Sequence, residues 1–400
     1  MTESCDNDRV NAAEAKLPLW DWILLPLLCL LTACIVVGSA EWIARRIFTF
    51  TPTGISVCSV IKDPAIGPRG IPNCVCWDKE YESHSVQYRL NSGGYRADSD
   101  FGPKLPGVYR IVLTGSSIPM GYNVDKDKTF ATLLPGELSR RTGRQVELLN
   151  ESFAGGSGVA QRLDEPLQAN PDLILWVLTP WDIEQDKGVV HHATRKRAEG
   201  SFFHRAWLKV KDAFTGASFT GDLEAAFDDT RTSLLLRHFL FESQTQSVKS
   251  YLISDDKESG FLKTQPSPEW EERLHRLSDA VARNELQAKA AGVPLVVALI
   301  PNRTQAIMIS MGQWPAGYNP YELGNELSSI VTSSGGTYVD LLSAFRSMPN
   351  PEQYYFPVDV HLAASGHAIV SRLLTEQLTD GAVTALRASP QPQLAQMKER

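Results

Sequence analysis

VYRIVLTGSSIPMGY, residues 108–122, and LILWVLTPWD, residues 173–182, share one pattern: a short apolar run, then a turn carrying small, hydroxyl-bearing or acidic side chains. An apolar run without polar alternation is how a strand reads when helices cover both of its faces. The first strand is read as VYRIVL (108–113) and the third as LILWVL (173–178), and the pattern recurs in VELLN (146–150), PLVVALI (294–300) and TYVD (337–340). Helical stretches fit between these runs: Lys128 to Thr142 before the second, about Pro268 to Ala291 before the fourth, and Ala364 to Leu378 at the end. Gly292 offers a C-terminal stop for the long helix, and Ser365-Gly366 suits the first turn of the last one. Alternation of this kind implies an α/β body built on a parallel sheet.

The pattern breaks between residues 183 and 265, where SFFHRAWLKVKDAF and TSLLLRHFLF carry apolar residues at helical spacing with basic ones between, as in amphipathic helices inserted after the third strand. A helical insertion packed on the body is one reading; a lid or a membrane-surface contact is the other. Upstream, Trp22 to Ala40 carries no charge between Asp21 and Glu41. At ~1.5 Å per residue such a helix is roughly 28 Å long, close to the hydrocarbon thickness of a bilayer. A cleaved signal peptide is the alternative, since Gly38-Ser39-Ala40 supplies small residues, but the run exceeds the usual h-region of about 7 to 15 residues and an acidic segment precedes it. An uncleaved single-pass anchor is therefore expected. Arg9 and Lys16 on one side and Arg45 and Arg46 on the other leave its orientation undecided by charge.

These readings divide the chain into a tail (1–16), an anchor (17–47), a poorly packed juxtamembrane segment (48–106), the body's first part (107–182), the insertion (183–265), its second part (266–380) and a polar tail (381–400). The net charge of -7, with no dense run of Lys and Arg, excludes nucleic acid as a main partner. Cys58, Cys74 and Cys76 follow the apolar run; one disulfide among them would favour an oxidising compartment and leave one thiol over, and three reduced thiols are the alternative. The body is accordingly placed outside the cytoplasm. No C-x-x-C pair has a matching second half, so neither metal nor cofactor is expected. His191-His192 read as a surface loop, His204 and His238 as amphipathic-helix residues, and His367 as a capping or packing residue.

In an open α/β sheet, ligands gather beyond the carboxyl ends of the strands. After the first strand, Gly115 permits a tight turn and Ser117 opens the next element. After the second, Gly155 and Gly156 let backbone amides approach a ligand closely enough to bind a developing oxyanion. After the fifth, FPVDVHLAASGH places Asp359 and His361 two residues apart, on one side of an extended loop, where the carboxylate could orient the imidazole. Serine, histidine and aspartate in these places would make a triad.

On these residues the chain resembles the SGNH hydrolases, or GDSL-type esterases and lipases, over about 107–182 and 266–380. NSGGYR (91–96) is similar to a segment that often precedes the domain in membrane-anchored bacterial members. The resemblance implies a three-layer, flavodoxin-like parallel sheet. Its first block falls on Gly115-Ser116-Ser117, with Ser117 as nucleophile; its second on Gly155, with Asn150 as turn asparagine; its fourth on His361, with Asp359 behind it. Two blocks depart from the pattern: Ser116 stands where aspartate is usual, and Thr179-Pro180-Trp181-Asp182 puts Trp181 where an oxyanion-binding asparagine is usual. Asp-x-His is also shorter than the commonest Asp-x-x-His.

Losing one side-chain donor from an oxyanion hole costs about 3 to 4 kcal/mol, or roughly a hundred- to a thousandfold in rate. The N–H groups of Ser117 and Gly155 would remain as donors; Trp181 either adds a longer-reaching indole N–H or closes one wall of the pocket by packing. The resemblance implies an ester hydrolase acting on an ester-bearing small molecule or a cell-envelope glycan. Transfer of the acyl group to a sugar hydroxyl, and a noncatalytic glycan-binding or scaffold protein with a degraded site, are the alternatives.

Overall fold

The computed structural model describes residues 20–51, 54–63, 67–155, 158–184, 230–240, 243–254 and 259–388. The chain enters through α1 (Asp21–Ile47), whose apolar side chains stand exposed along its length. An 18-residue window within its Trp22–Ile47 portion has a mean hydropathy of 2.5 and no buried residue, so by length and composition the helix can cross a membrane or serve as a signal sequence.

The segment expected to be a poorly packed stalk is folded. Two antiparallel ribbons follow α1, β1 (Ser59–Asp63) with β2 (Gly67–Gly70) and β3 (Val75–Asp78) with β4 (Val86–Arg89). Cys58 and Cys74 are joined in a disulfide, and Cys76 is a buried free thiol pushed up to about 11 by burial and by the Asp78 carboxylate. Ile55, Cys58, Cys76, Val86, Tyr88 and Leu90 form a small core that Met120 and Phe153 of the main body complete. The alternation of buried and exposed residues in β3 and β4 makes this possible, because the inward positions share one face. Four-residue strands between Pro and Gly are too short for that alternation to stand out in the sequence.

The body alternates as the sequence predicts: β5 (Tyr109–Thr114), α2 (Ser117–Met120), α3 (Phe130–Thr142), β6 (Val146–Asn150), α4 (Asp164–Gln168), β7 (Leu173–Leu178) and α5 (Pro180–Glu184). Within the expected insertion, α6 (Arg231–Leu240) covers most of TSLLLRHFLF and α7 (Gln244–Ser254) follows it. SFFHRAWLKVKDAF, His191, His192, His204, Gly156, the N-terminal tail and residues 389–400 lie outside the described residues. The chain continues through α8 (Pro268–Ala290), β8 (Leu295–Leu299), α9 (Arg303–Met311), α10 (Glu322–Ser333), β9 (Thr337–Val339) and α11 (Ala364–Gln377). α9 was not foreseen because it is buried nearly all round and lacks a one-sided apolar stripe. Val383 and Leu386 are also buried in the main core, so the packed body runs past the boundary expected at residue 380.

Five strands pair in parallel in the order β6-β5-β7-β8-β9, the flavodoxin-like arrangement. Every residue of β5, β7 and β8 is buried, which explains the uninterrupted apolar sequence of β7 and β8; in β5 the run is broken by Arg110, whose guanidinium is paired with Glu147, and ends on Thr114. The path β5-α3-β6 steps one way along the sheet and β7-α8-β8-α10-β9 the other. Right-handed crossovers therefore put α3 on one face and α8 and α10 on the opposite one. α11 packs against α3 and completes the first layer. The direction reverses between β5 and β7, and the crevice beyond their carboxyl ends is where such a sheet binds ligands.

Candidate active site

The turn after β5 is tight because the chain crosses close to its neighbour. Gly115 has φ +152°, and a Cβ there would stand 2.4 Å from the Val177 carbonyl oxygen and 2.6 Å from Cγ of Pro119. This turn delivers Ser117 to the start of α2 as the half-buried residue in the otherwise buried stretch from Ile111 to Met120. Arg96, the last residue of NSGGYR, is buried and secures the far end of the turn. Its guanidinium donates to the carbonyls of Gly121 at 2.5 Å and Val124 at 2.9 Å and lies 4.3 Å over the Tyr88 ring.

The loop after β6 is tied to the same helix. Asn150 donates from Nδ2 to the Pro119 carbonyl at 2.7 Å and accepts from the Ser152 N–H at 3.1 Å, so it acts as a turn residue. Ala154 N–H points at Sδ of Met120 at 3.1 Å, and Gly155 follows, exposed, at φ +80°.

After β7, Trp181 and Asp182 diverge. The Trp181 ring meets the His361 ring edge-on with centroids 5.5 Å apart, a packing contact on the wall of the site. Asp182 turns inward, where its carboxylate accepts from the Thr179 N–H and hydroxyl at 2.7 Å each, and from the Ser116 hydroxyl and the Gly158 N–H. Burial pushes its pKa above the ordinary carboxylate value against those hydrogen bonds. One buried carboxyl group thus fastens together the loops after β5, β6 and β7, a role the sequence reading did not assign to it.

The loop before α11 brings in the remaining groups. His361 Nδ1 lies 2.7 Å from Asp359 Oδ1, and His361 Nε2 lies 2.9 Å from Ser117 Oγ. A carboxylate accepts only, so Nδ1 carries the proton and the Nε2 lone pair faces the serine hydroxyl. The segment is not the extended loop expected. Val360 sits at φ +61°, a conformation that β-branched residues rarely adopt, and its N–H donates to the Phe356 carbonyl at 3.0 Å. This bend, and not strand-like alternation, folds Asp359 back onto the ring two residues on.

Several groups hold the pair. Asn123 (φ +64°) donates from Nδ2 to Asp359 Oδ1 at 3.0 Å, and its own N–H donates to the Tyr88 hydroxyl at 2.9 Å. Glu82 Oε2 accepts from the N–H groups of Val358 and Asp359, both at 2.8 Å. The Tyr122 ring stands 5.0 Å from that of His361, with its hydroxyl 3.0 Å from Glu80 Oε1. Burial opposes the imidazolium, yet the Asp359 carboxylate, by charge and hydrogen bond, holds His361 above its ordinary value, with Glu80 adding to the effect. Burial likewise opposes the Asp359 anion, and His361 and Asn123 hold it below the ordinary carboxylate value. Asn123, Glu82 and Asp182 escaped the sequence reading; an asparagine in the turn GYNVD is a fair sign of left-handed backbone, but nothing in KEYESHSV sets Glu82 apart.

His367 stands apart from this series. Its Nδ1 accepts from the Phe130 N–H at the start of α3 at 3.3 Å, its ring stacks on Phe130, and burial pushes it down to about 3. Among the described residues no group of three or more His, Cys, Asp or Glu is placed to hold a metal ion.

No protein-family model matches the chain, and no curated protein matches it. Among solved structures the chain is similar to TesA, at 12% identity and a TM-score of 0.35, over 68% of this chain and 98% of that one. It is similar to a lipase/acylhydrolase from Enterococcus faecalis, at 12% identity and a TM-score of 0.35, over 70% of this chain and 98% of that one. It is also similar to a point mutant of Axe2, an acetyl-xylooligosaccharide esterase from Geobacillus Stearmophilus, at 12% identity and a TM-score of 0.36, over 70% of this chain and 95% of that one.

Proposed function

We propose that this protein is an ester hydrolase of SGNH type with Ser117 as nucleophile, His361 as general base and Asp359 as the group that orients and charges the ring. The observation that carries the reading is the unbroken series from Asp359 through His361 to Ser117, with gaps of 2.7 and 2.9 Å. In the first half-reaction Ser117 Oγ attacks the ester carbonyl carbon while its proton passes to His361 Nε2. The C–O bond to the alcohol then breaks, and His361 returns the proton to the departing alkoxide, leaving an acyl-Ser117. In the second half-reaction water gives a proton to Nε2 and attacks the acyl carbon, and the proton returns to Ser117 as the carboxylic acid leaves. The N–H groups of Ser117 and Gly155 are the proposed oxyanion donors, and the packing of Trp181 on His361 supports a wall role for its indole.

The substrate class we propose is an acetyl or short acyl ester on a carbohydrate or envelope glycan. If a sugar hydroxyl takes the place of water in the second half-reaction, the same residues perform acyl transfer. Labelling with a fluorophosphonate probe tests the reading: the wild-type chain is expected to take the label and Ser117→Ala to lose it. A wild type that stays unlabelled would favour the noncatalytic glycan-binding alternative.

For α1 we propose a retained membrane anchor with the body on an extracytoplasmic face. The exposed apolar surface of α1 and the Cys58–Cys74 disulfide support this. The full chain is expected to stay in the membrane pellet after alkaline carbonate extraction, with its mature N-terminus upstream of residue 22; a soluble chain beginning near Glu41 would identify a cleaved signal instead.

A further inference from the structure

Glu82 belongs to none of the loops at the carboxyl ends of the sheet, yet its side chain is 2% exposed and both of its oxygens are committed. Oε2 accepts from two consecutive N–H groups, those of Val358 and Asp359, at 2.8 Å each. Oε1 accepts from Nδ1 of His238 in α6 at 2.6 Å. The loop that Glu82 grips contains the left-handed Val360, a conformation that persists only where its surroundings hold it. The start of α6 is gripped in the same way by α1: Glu41 accepts from the N–H groups of Arg231 and Thr232 at 3.2 and 2.9 Å and from the Thr232 hydroxyl at 2.9 Å. Near the other end of α6 the ring of His238 meets that of Phe48, just beyond α1, at 5.7 Å.

We infer that Glu82 is a positioning residue for the Asp359–His361 pair, and that α6 is a strut carrying the placement of α1, through His238 and Glu82, to the loop that bears that pair. The inference rests on the proposed hydrolase reading for its kinetic consequence and on geometry alone for its structural one. A carboxylate gripping two adjacent amides fixes both the direction of the Asp359 carboxylate and the bend at Val360. A displacement of about 1 Å at such a point is enough to slow chemistry about a hundredfold while leaving substrate binding nearly untouched.

The test uses the full chain in detergent micelles, p-nitrophenyl acetate as probe, and the variants Glu82→Ala, Glu82→Gln and His238→Ala. Glu82→Ala is expected to lower kcat by up to about 100-fold with KM within about twofold of wild type. Glu82→Gln, whose Oε1 still accepts from both amides, should recover much of the loss, and His238→Ala should show a smaller loss of the same kind. Hydrogen–deuterium exchange of the peptide covering 354–363 should be faster in Glu82→Ala and His238→Ala than in wild type. Unchanged kcat in Glu82→Ala, or unchanged exchange in that peptide, would overturn the inference. If Glu82→Ala does not fold, Glu82→Gln and His238→Ala carry the same readouts. A wild type that does not turn over the ester counts against the hydrolase reading, and the exchange measurement then decides the positioning role by itself.

Discussion

Alanine in place of His361 is expected to slow turnover of an activated acetyl ester by about a millionfold, as measured by initial rates of p-nitrophenol release. Two hydrogen bonds end at that ring, and both would go at once. Without the Nε2 lone pair 2.9 Å from Ser117 Oγ, the attacking hydroxyl keeps its proton through the transition state, and the leaving alkoxide has no acid to collect one from. Asp359 would be left buried with its neutral partner Asn123 and no cation, which raises its own pKa back toward and beyond the ordinary carboxylate value. Fluorophosphonate labelling should fall alongside turnover, because the probe also needs an activated hydroxyl. A His361→Ala variant with turnover within tenfold of wild type would remove this ring from the mechanism.

Asparagine in place of Asp359 is the second large effect, about ten-thousandfold in kcat, or about 5.5 kcal/mol in barrier height. The shape is conserved, so the loss is electrostatic and tautomeric: an amide cannot stabilise the imidazolium and can present its NH2 to Nδ1, turning the Nε2 lone pair into an N–H. The pH profile carries the sign. The base form of His361 is the neutral ring, and the folded protein holds its pKa above the ordinary value of 6.5, so the rate should rise with pH through a limb above that value. In Asp359→Asn burial is left largely unopposed, and the limb should move below it. Such a limb belongs to the coupled pair and not to one residue. For stability, the contribution of His361 is fully present below about 6.5 and is lost as pH rises through its raised folded pKa. The contribution of Asp359 is present above 3.8 and is lost as pH falls through its lowered folded pKa. The pair therefore stabilises the fold most between those limits, and a thermal melt series across that range should flatten in Asp359→Asn.

The central sheet was legible because β5, β6, β7 and β8 advertise themselves by composition: buried parallel strands are dominated by apolar residues, and the predicted runs lie within one residue of the observed strands. Ser117, Asp359 and His361 were legible because each follows directly on a strand or precedes a helix in a recognisable string. What stayed hidden acts through backbone conformation and long-range contact. The bend at Val360 has no sequence signature, since valine is among the last residues expected at positive φ. Glu82 and Asn123 touch the loop that bears Asp359 and His361 across more than two hundred residues of chain, and single-sequence periodicity holds no information about such pairs. The ribbons between α1 and β5 were missed because short strands punctuated by Pro and Gly read as irregular chain, although Met120 and Phe153 in the body complete their core.

That small core also bears on how long the wall beside the site keeps its shape. Thiol–disulfide exchange proceeds through a thiolate, and the one cysteine near enough in sequence to attack the Cys58–Cys74 bond is Cys76. With its thiol pushed up to about 11, roughly one molecule in ten thousand carries the reactive anion at neutral pH. The odd sulfur is thereby chemically muted by the same packing that hides it, and the cross-link beside it is protected from being shuffled by its nearest neighbour.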